Sequence, residues 1–262
     1  MKSTLFKKVC LALLCCGIAL HATAQGIVVI KTDNSRVYYK ASEVQSVRVY
    51  GFDEEPDPPQ PGEHQWVDLE LESGTLWATT NVGAEKPEDY GNYFAWGETQ
   101  PKNDYSQSTY MFYNENMHHQ LTKYCTNSTS GIVDNKKELE PEDDAATINW
   151  GEDWQMPSAA QLEELFSGDN TITEWTTENE KGGWKITSKR NNKSIFLPAA
   201  GYYEGLSRKQ KDSYGNYWSR TLDTSTPTCH FGNIFYFSRF INGPSSILRE
   251  YGLTVRPVRV KK

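Results

Sequence analysis

The residues of this chain with chemistry to offer are a histidine pair, an acidic run, two late cysteines and a surplus of tyrosines. His118-His119 sits in a polar loop with no cysteine and no spaced third ligand nearby, a poor start for a tetrahedral metal site. No metal centre and no cofactor is expected. Glu138, Glu140, Glu142, Asp143 and Asp144 crowd seven positions just ahead of Ala145-Ala146. Such a run could offer oxygen ligands to Ca²⁺. The simpler reading is acids complementing the positive end of a helix dipole. Gly-x-Ser-x-Gly elbows, Walker-type loops and His-Glu-x-x-His are all missing, so no residue is assigned as catalytic. A glycosidase needs only two carboxylates, whose geometry is spatial and cannot be read from spacing. The tyrosines carry the stronger signal. Tyr105, Tyr110 and Tyr113, with Phe112, lie in a long polar excursion, and Tyr202-Tyr203 lies in a Gly-Tyr-Tyr-Glu-Gly stretch. A tyrosine ring has a flat apolar face and a polar tip, suited to a sugar or a protein partner. Tyr202, Tyr203, Tyr105, Tyr110 and Tyr113 are therefore candidate ligand contacts. The alternative is loop aromatics folded back as satellite core.

Location decides what the cysteines can do. Lys2, Lys7 and Lys8 precede an apolar stretch from Val9 to Leu20, and Ala22-Thr23-Ala24 offers a small-x-small cleavage site. Residues 1–24 are thus expected to be a signal peptide, without lipid attachment, and the mature chain to be extracellular, cell-surface or periplasmic. Cleavage removes Cys10, Cys15 and Cys16 and leaves Cys125 and Cys229. An even pair in an oxidising compartment is a candidate disulfide. The alternative is two unrelated buried thiols acting as small hydrophobes. The formal charge is −7 with no basic cluster, which offers no footprint for nucleic acid. No second apolar segment approaches spanning length, so no membrane insertion is expected after cleavage.

These residues need elements to hold them. Gln25 to Phe52 reads as a small β unit, with Ile27–Ile30 and Val37–Tyr39 flanking a Thr-Asp-Asn-Ser turn, a helical turn at Ala41–Val44 and a third strand at Val47–Tyr50. Residues 53–64 carry four prolines and five acids and read as an extended linker. Residues 65–262 are a comfortable size for one domain. Within it, Ser158 and Gln161 have capping-box spacing, and Ala159, Leu162, Leu165 and Phe166 share one face, which predicts one main amphipathic helix. Strands are expected at Trp66–Leu71, Leu76–Thr79, within Asp89–Glu98, at Trp184–Ser188, Ser194–Leu197, Tyr217–Thr221, His230–Phe237 and Leu253–Val260. Pro257 implies a bulge or an edge in the last. Thr99–Asp144 reads as a mostly irregular excursion, of the length that often serves function. Trp77, Trp96, Trp150, Trp154 and Trp218 lie in or beside these elements and are expected in the core.

Eight stretches in order resemble one family: VDLELESGTLWATTNVGA (67–84), EDYGNYFAWGET (88–99), LTKYC (121–125), LEPEDDAA (139–146), NWGEDWQMPS (149–158), SIFLPAAGY (194–202), GNYWSR (215–220) and LTVRPV (253–258). Together they are similar to the Fibrobacter succinogenes major paralogous domain, over nearly the whole of residues 66–260. The resemblance implies a C-type-lectin-like fold, related to the formylglycine-generating-enzyme group, in secreted bacterial proteins. The residues 25–52 also resemble the short segment that often precedes such domains. The Glu-Pro-Asn and Trp-Asn-Asp ligand motifs of sugar-binding C-type lectins are absent, and so is the catalytic cysteine pair of the oxidising enzymes, so neither calcium-dependent sugar binding nor a catalytic residue carries over. The resemblance supports Cys125 in LTKYC but not Cys229. The expectation is an α+β protein: a small β unit, then a C-type-lectin-like domain of antiparallel strands, one main helix and long loops. Its expected role is a non-enzymatic binding or adhesion module for a surface glycan or protein. The alternatives are a polysaccharide-acting enzyme with a carboxylate pair, and a structural subunit assembling through the N-terminal β unit.

Overall fold

The computed structural model describes residues 19–23, 26–30, 36–40, 64–114 and 120–260, and the chain divides into two compact units, Met1–Glu55 and Pro56–Lys262. The division falls within the expected Pro-rich linker. In the first unit β1 (Ala19–Thr23), β2 (Gly26–Ile30) and β3 (Arg36–Lys40) form an antiparallel sheet in chain order. Ile27 faces Tyr39 and Val29 faces Val37, the hairpin expected from the sequence. The expected turn at Ala41–Val44, the strand at Val47–Tyr50 and the His118-His119 pair lie outside the described residues, as does most of the expected signal peptide.

The second unit opens with β4 (Trp66–Asp68) and β5 (Thr75–Ala78), then the long excursion with β6 (Tyr113–Asn114) and β7 (Gln120–Leu121). Helices α1 (Ala145–Trp150) and α2 (Ala159–Phe166) follow, then β8 (Thr171–Glu178), β9 (Lys181–Ser188) and β10 (Ser194–Pro198). The chain continues through β11 (Tyr202–Glu204), β12 (Ser207–Lys209), β13 (Tyr214–Leu222), β14 (Phe231–Ser238), β15 (Asn242–Leu248) and β16 (Val258–Val260). The strands pair antiparallel in small sheets, β16-β5-β4, β10-β9-β8 and β13-β14-β15 among them. The architecture is mostly antiparallel β with few helices, which is compatible with an α+β reading. No helix among the described residues is long and apolar enough to cross a membrane.

Helix α2 forms as its sequence dictates. Ser158 Oγ accepts from the Gln161 amide at 3.2 Å, and Gln161 Oε1 accepts from the Ser158 amide at 2.9 Å, closing the capping box. Leu162, Leu165 and Phe166 are buried, and Phe166 stacks on Phe235 of β14 at 3.9 Å. Burying each such side chain contributes about 1.5–3 kcal/mol, so this face anchors the helix to the sheet. A second core, around Trp96, Tyr110, Phe112, Tyr124 and Trp218, gathers the long excursion.

Three differences from the sequence reading have local causes. The first strand stops at Asp68, not Leu71, because Glu70 adopts φ 52° and Asp68 Oδ1 accepts from the Glu70 amide at 2.8 Å. Of Asp89–Glu98, residues 93–98 are buried and 89–92 only partly so, and only Phe94 bridges, to Leu253, so the buried aromatics are held by packing rather than by a ladder. Strands β8, β12 and β15 carry too many Thr, Ser, Lys or Gly residues to read as strands, β11 is only three residues long, and all four are placed by their partners.

Two arginines are fully buried. Arg249 lies over Trp96 at 4.7 Å and near the rings of Tyr110, Phe112 and Tyr124, with Nη1 donating to the Cys229 carbonyl at 3.1 Å. Arg256 donates to Asn81 Oδ1 at 2.8 Å and to the carbonyls of Ala78, Thr79 and Phe196 at 3.1, 3.0 and 2.9 Å. Burial lowers its pKa to about 10. Each guanidinium spends its donors on main-chain carbonyls from separated segments.

Candidate functional site

The five candidate tyrosines separate by burial. Tyr105, Tyr110 and Tyr113 keep 2%, 3% and 9% of their surface, which places them in the core and not at a ligand surface. Their hydroxyls are engaged internally. Tyr105 donates to the Tyr93 carbonyl, Tyr110 to the Trp96 carbonyl at 2.7 Å, and the Tyr113 hydroxyl lies 3.0 Å from His230 Nδ1. The polar excursion folds its aromatics inward because a loop of this length must bury apolar surface to be held at all. Strand alternation then splits the remaining pair. Tyr203 packs on Tyr93 at 4.9 Å and Tyr105 at 5.5 Å, whereas Tyr202 stacks on Tyr251 at 5.7 Å. Tyr202 is half-buried, opposite exposed Lys209 in the β11–β12 register, and Tyr251 donates to exposed Glu204 at 3.1 Å. Of the five, Tyr202 alone belongs to such an outward aromatic pair.

Cys125 and Cys229 are brought together. Both are buried free thiols, and the Cys125 thiol donates to the Cys229 sulfur at 2.6 Å. Burial, with the neighbouring sulfur, pushes Cys125 up to about 11. Burial also disfavours the Cys229 thiolate, but donation from Cys125 and from the Thr126 amide at 3.0 Å outweighs it and lowers the Cys229 pKa.

The acidic run follows the simpler reading and adds a cation to it. Asp144 caps α1, accepting from the amides of Ala146 at 2.8 Å and Thr147 at 3.0 Å, and also from Met156. Burial raises the Asp144 pKa against those donors. Glu140, Glu142 and Asp143 cluster closely enough to hold a metal ion, but the Lys123 ammonium stands among them, 2.6 Å from Glu140 and 2.5 Å from Asp143. Hydrogen bonds from Lys123 and Lys136 lower Glu140 to about 2. An internal cation already does the work a Ca²⁺ would do there.

A concave site lies elsewhere. An open cleft of about 590 Å³ is lined by His64, Trp150, Gly151, Glu152, Asp153, Trp154 and Arg259. Helix α1 ends at Gly151, whose φ of 97° stops the helix and leads into the exposed Gly-Glu-Asp turn. Trp154 returns from that turn, its amide donating to the Gly151 carbonyl at 3.0 Å. Half-buried Trp150 and buried Trp154 meet edge to face at 5.1 Å, making a floor and a wall. Arg259 of β16 lies 5.6 Å over the Trp154 ring and 3.4 Å from Asp153 Oδ2. His64 stacks flat on Trp150, ring centres 3.6 Å apart and planes 6° from parallel, and burial lowers its pKa. The cleft therefore offers an aromatic corner, two carboxylates and a guanidinium within one opening, which suits a ring-shaped ligand with hydroxyl groups.

Sequence reasoning placed Trp150 and Trp154 in the core and did not single out His64 or Arg259. For Trp154 the core assignment holds. The signal that could have pointed to Trp150 is the exposed Gly-Glu-Asp turn between the two indoles. Comparison of the chain with family models, curated proteins and solved structures finds no match.

Proposed function

We propose that this chain is an exported, non-enzymatic binding module with a C-type-lectin-like domain, similar to the Fibrobacter succinogenes major paralogous domain, which takes a surface glycan in the His64–Trp150–Trp154 cleft. The carrying observation is the cleft itself: an indole floor and an indole wall with Glu152, Asp153 and Arg259 at the rim. A sugar ring has an apolar C–H face for the floor and equatorial hydroxyls for charged rim groups, and stacking tolerates many sugars. The mostly antiparallel β architecture and the export signal are compatible with this role. The test is a glycan array probed with the mature chain and with Trp150→Ala. Losing the floor should weaken binding about tenfold, or roughly 1.4 kcal/mol, with the melting temperature changed little because Trp150 is only half-buried. Equal binding by both proteins would move the site elsewhere, and binding of protein ligands alone would replace the glycan by a protein partner.

A further inference from the structure

The indole floor of the cleft is covered from within. His64 is exposed to solvent, yet its ring lies parallel to Trp150 at 3.6 Å and edge-on to Trp154 at 6.2 Å and 90°. A centre-to-centre distance this short leaves little lateral offset, whereas aromatic pairs prefer to slide apart. The imidazole thus occupies the middle of the face on which a ligand ring would rest. It also has the proportions of such a ligand, being flat, one ring wide and polar at its rim. Its charged neighbours in the cleft are Glu152, Asp153 and Arg259, and Arg259 is already engaged with Asp153. His64 is the last residue of the acidic, proline-rich stretch DEEPDPPQPGEH.

Resting on the glycan reading above, we propose that His64 is an internal occupant of the ligand position: a sugar ring and the His64 imidazole compete for the same face of Trp150. The cleft then binds its sugar only in the fraction of molecules in which His64 has left, and apparent affinity is reduced by that fraction. Sugar binding correspondingly displaces the His64 ring from Trp150, since each competitor excludes the other.

The experiment uses the mature full-length chain and methyl β-glucopyranoside, the simplest ring with a flat C–H face. Proton NMR of the histidine ring signals, assigned by comparison with His64→Ala, reads the stack directly, because an indole 3.6 Å away shifts those signals upfield. The expected results are an upfield His64 signal that returns to its free position in Trp150→Ala and on saturation with the sugar. His64→Ala should tighten sugar binding about 2–10-fold, and His64→Phe, a stronger stacker, should weaken it. Trp150-dependent sugar binding that leaves the His64 signals unmoved, or that weakens in His64→Ala, overturns the competition while the glycan reading stands. Absence of sugar binding to every variant, His64→Ala included, overturns the glycan reading and the competition with it.

Discussion

Arg256→Met should be among the most damaging single substitutions in the second unit. The guanidinium has no exposed surface and reaches four acceptors on two separated segments, residues 78–81 and Phe196. Methionine fills most of the volume and removes every donor. Four buried acceptors left without partners cost about 1–3 kcal/mol each. Against this, an uncompensated charge no longer has to be dehydrated, which returns several kcal/mol. The difference is about 3–5 kcal/mol, the range seen when a buried charge network is broken from one side. At about 2–4 °C per kcal/mol for a domain of this size, the melting temperature should fall by roughly 6–20 °C. Urea unfolding followed by tryptophan fluorescence gives the free energy. Arg256→Lys is the informative companion, because an ammonium keeps the charge but cannot span acceptors on separated segments. It should recover less than half of the loss. A Met variant within about 1 kcal/mol of wild type would mean that relaxed backbone or water satisfies those acceptors, and the keystone argument would be abandoned.

Three further outcomes follow from the geometry. Tyr110→Ala should cost about 3–5 kcal/mol and Tyr202→Ala roughly 1 kcal/mol or less; comparable losses in urea titrations would contradict the separation into core and surface. Mature protein exposed to oxygen should show no titratable thiol after denaturation, since oxidation joins Cys125 to Cys229; closing a loop of about 100 residues adds up to roughly 4–5 kcal/mol in the chain-entropy model, and two free thiols would refute the pairing. Stability should fall at alkaline pH. Burial, as the largest cause, pushes Tyr105, Tyr113, Tyr217 and Tyr251 up to about 12 from 10, so their contribution is complete below pH 10 and is lost as pH rises through 12. Arg256, lowered to about 10, works in the opposite direction over the same window, but it is one group against four. A urea midpoint that holds steady from pH 9.5 to 12, on the order of the tyrosine reference value, would count against this.

What the sequence made legible was local. The Ser158–Gln161 box and the Leu162, Leu165, Phe166 face specify α2 within nine residues, and the hairpin of β9 and β10 is written in Trp184–Ser188 and Ser194–Leu197, where Ile186 pairs with Ile195. Burial was legible where large aromatics cluster, as at Phe94 and Trp96, even though no strand forms there. The tyrosines misled because polarity of the surrounding chain says nothing about where a ring points. Tyr110 sits in a polar excursion, yet its hydroxyl satisfies the Trp96 carbonyl and accepts from Arg249 Nε at 2.9 Å, a partner 139 positions away.

The cleft was hidden for a related reason. Its lining comes from the end of the linker at His64, from the turn after α1 and from Arg259 on the closing strand. No spacing rule connects those three places, because they meet only when β16 pairs with β5 and brings the domain's last strand into the sheet of its first. The turn alone was visible, and its two indoles were read as core since each adjoins a helix or strand pattern. Trp154 obeys that reading. Trp150 departs from it because α1 is one and a half turns long and stops at Gly151, so the helix's last residue has core beneath it and open cleft beside it. A ring in that position is fixed by packing on one side and faces the cleft, where His64 rests on it, on the other, an arrangement that a single sequence cannot distinguish from burial.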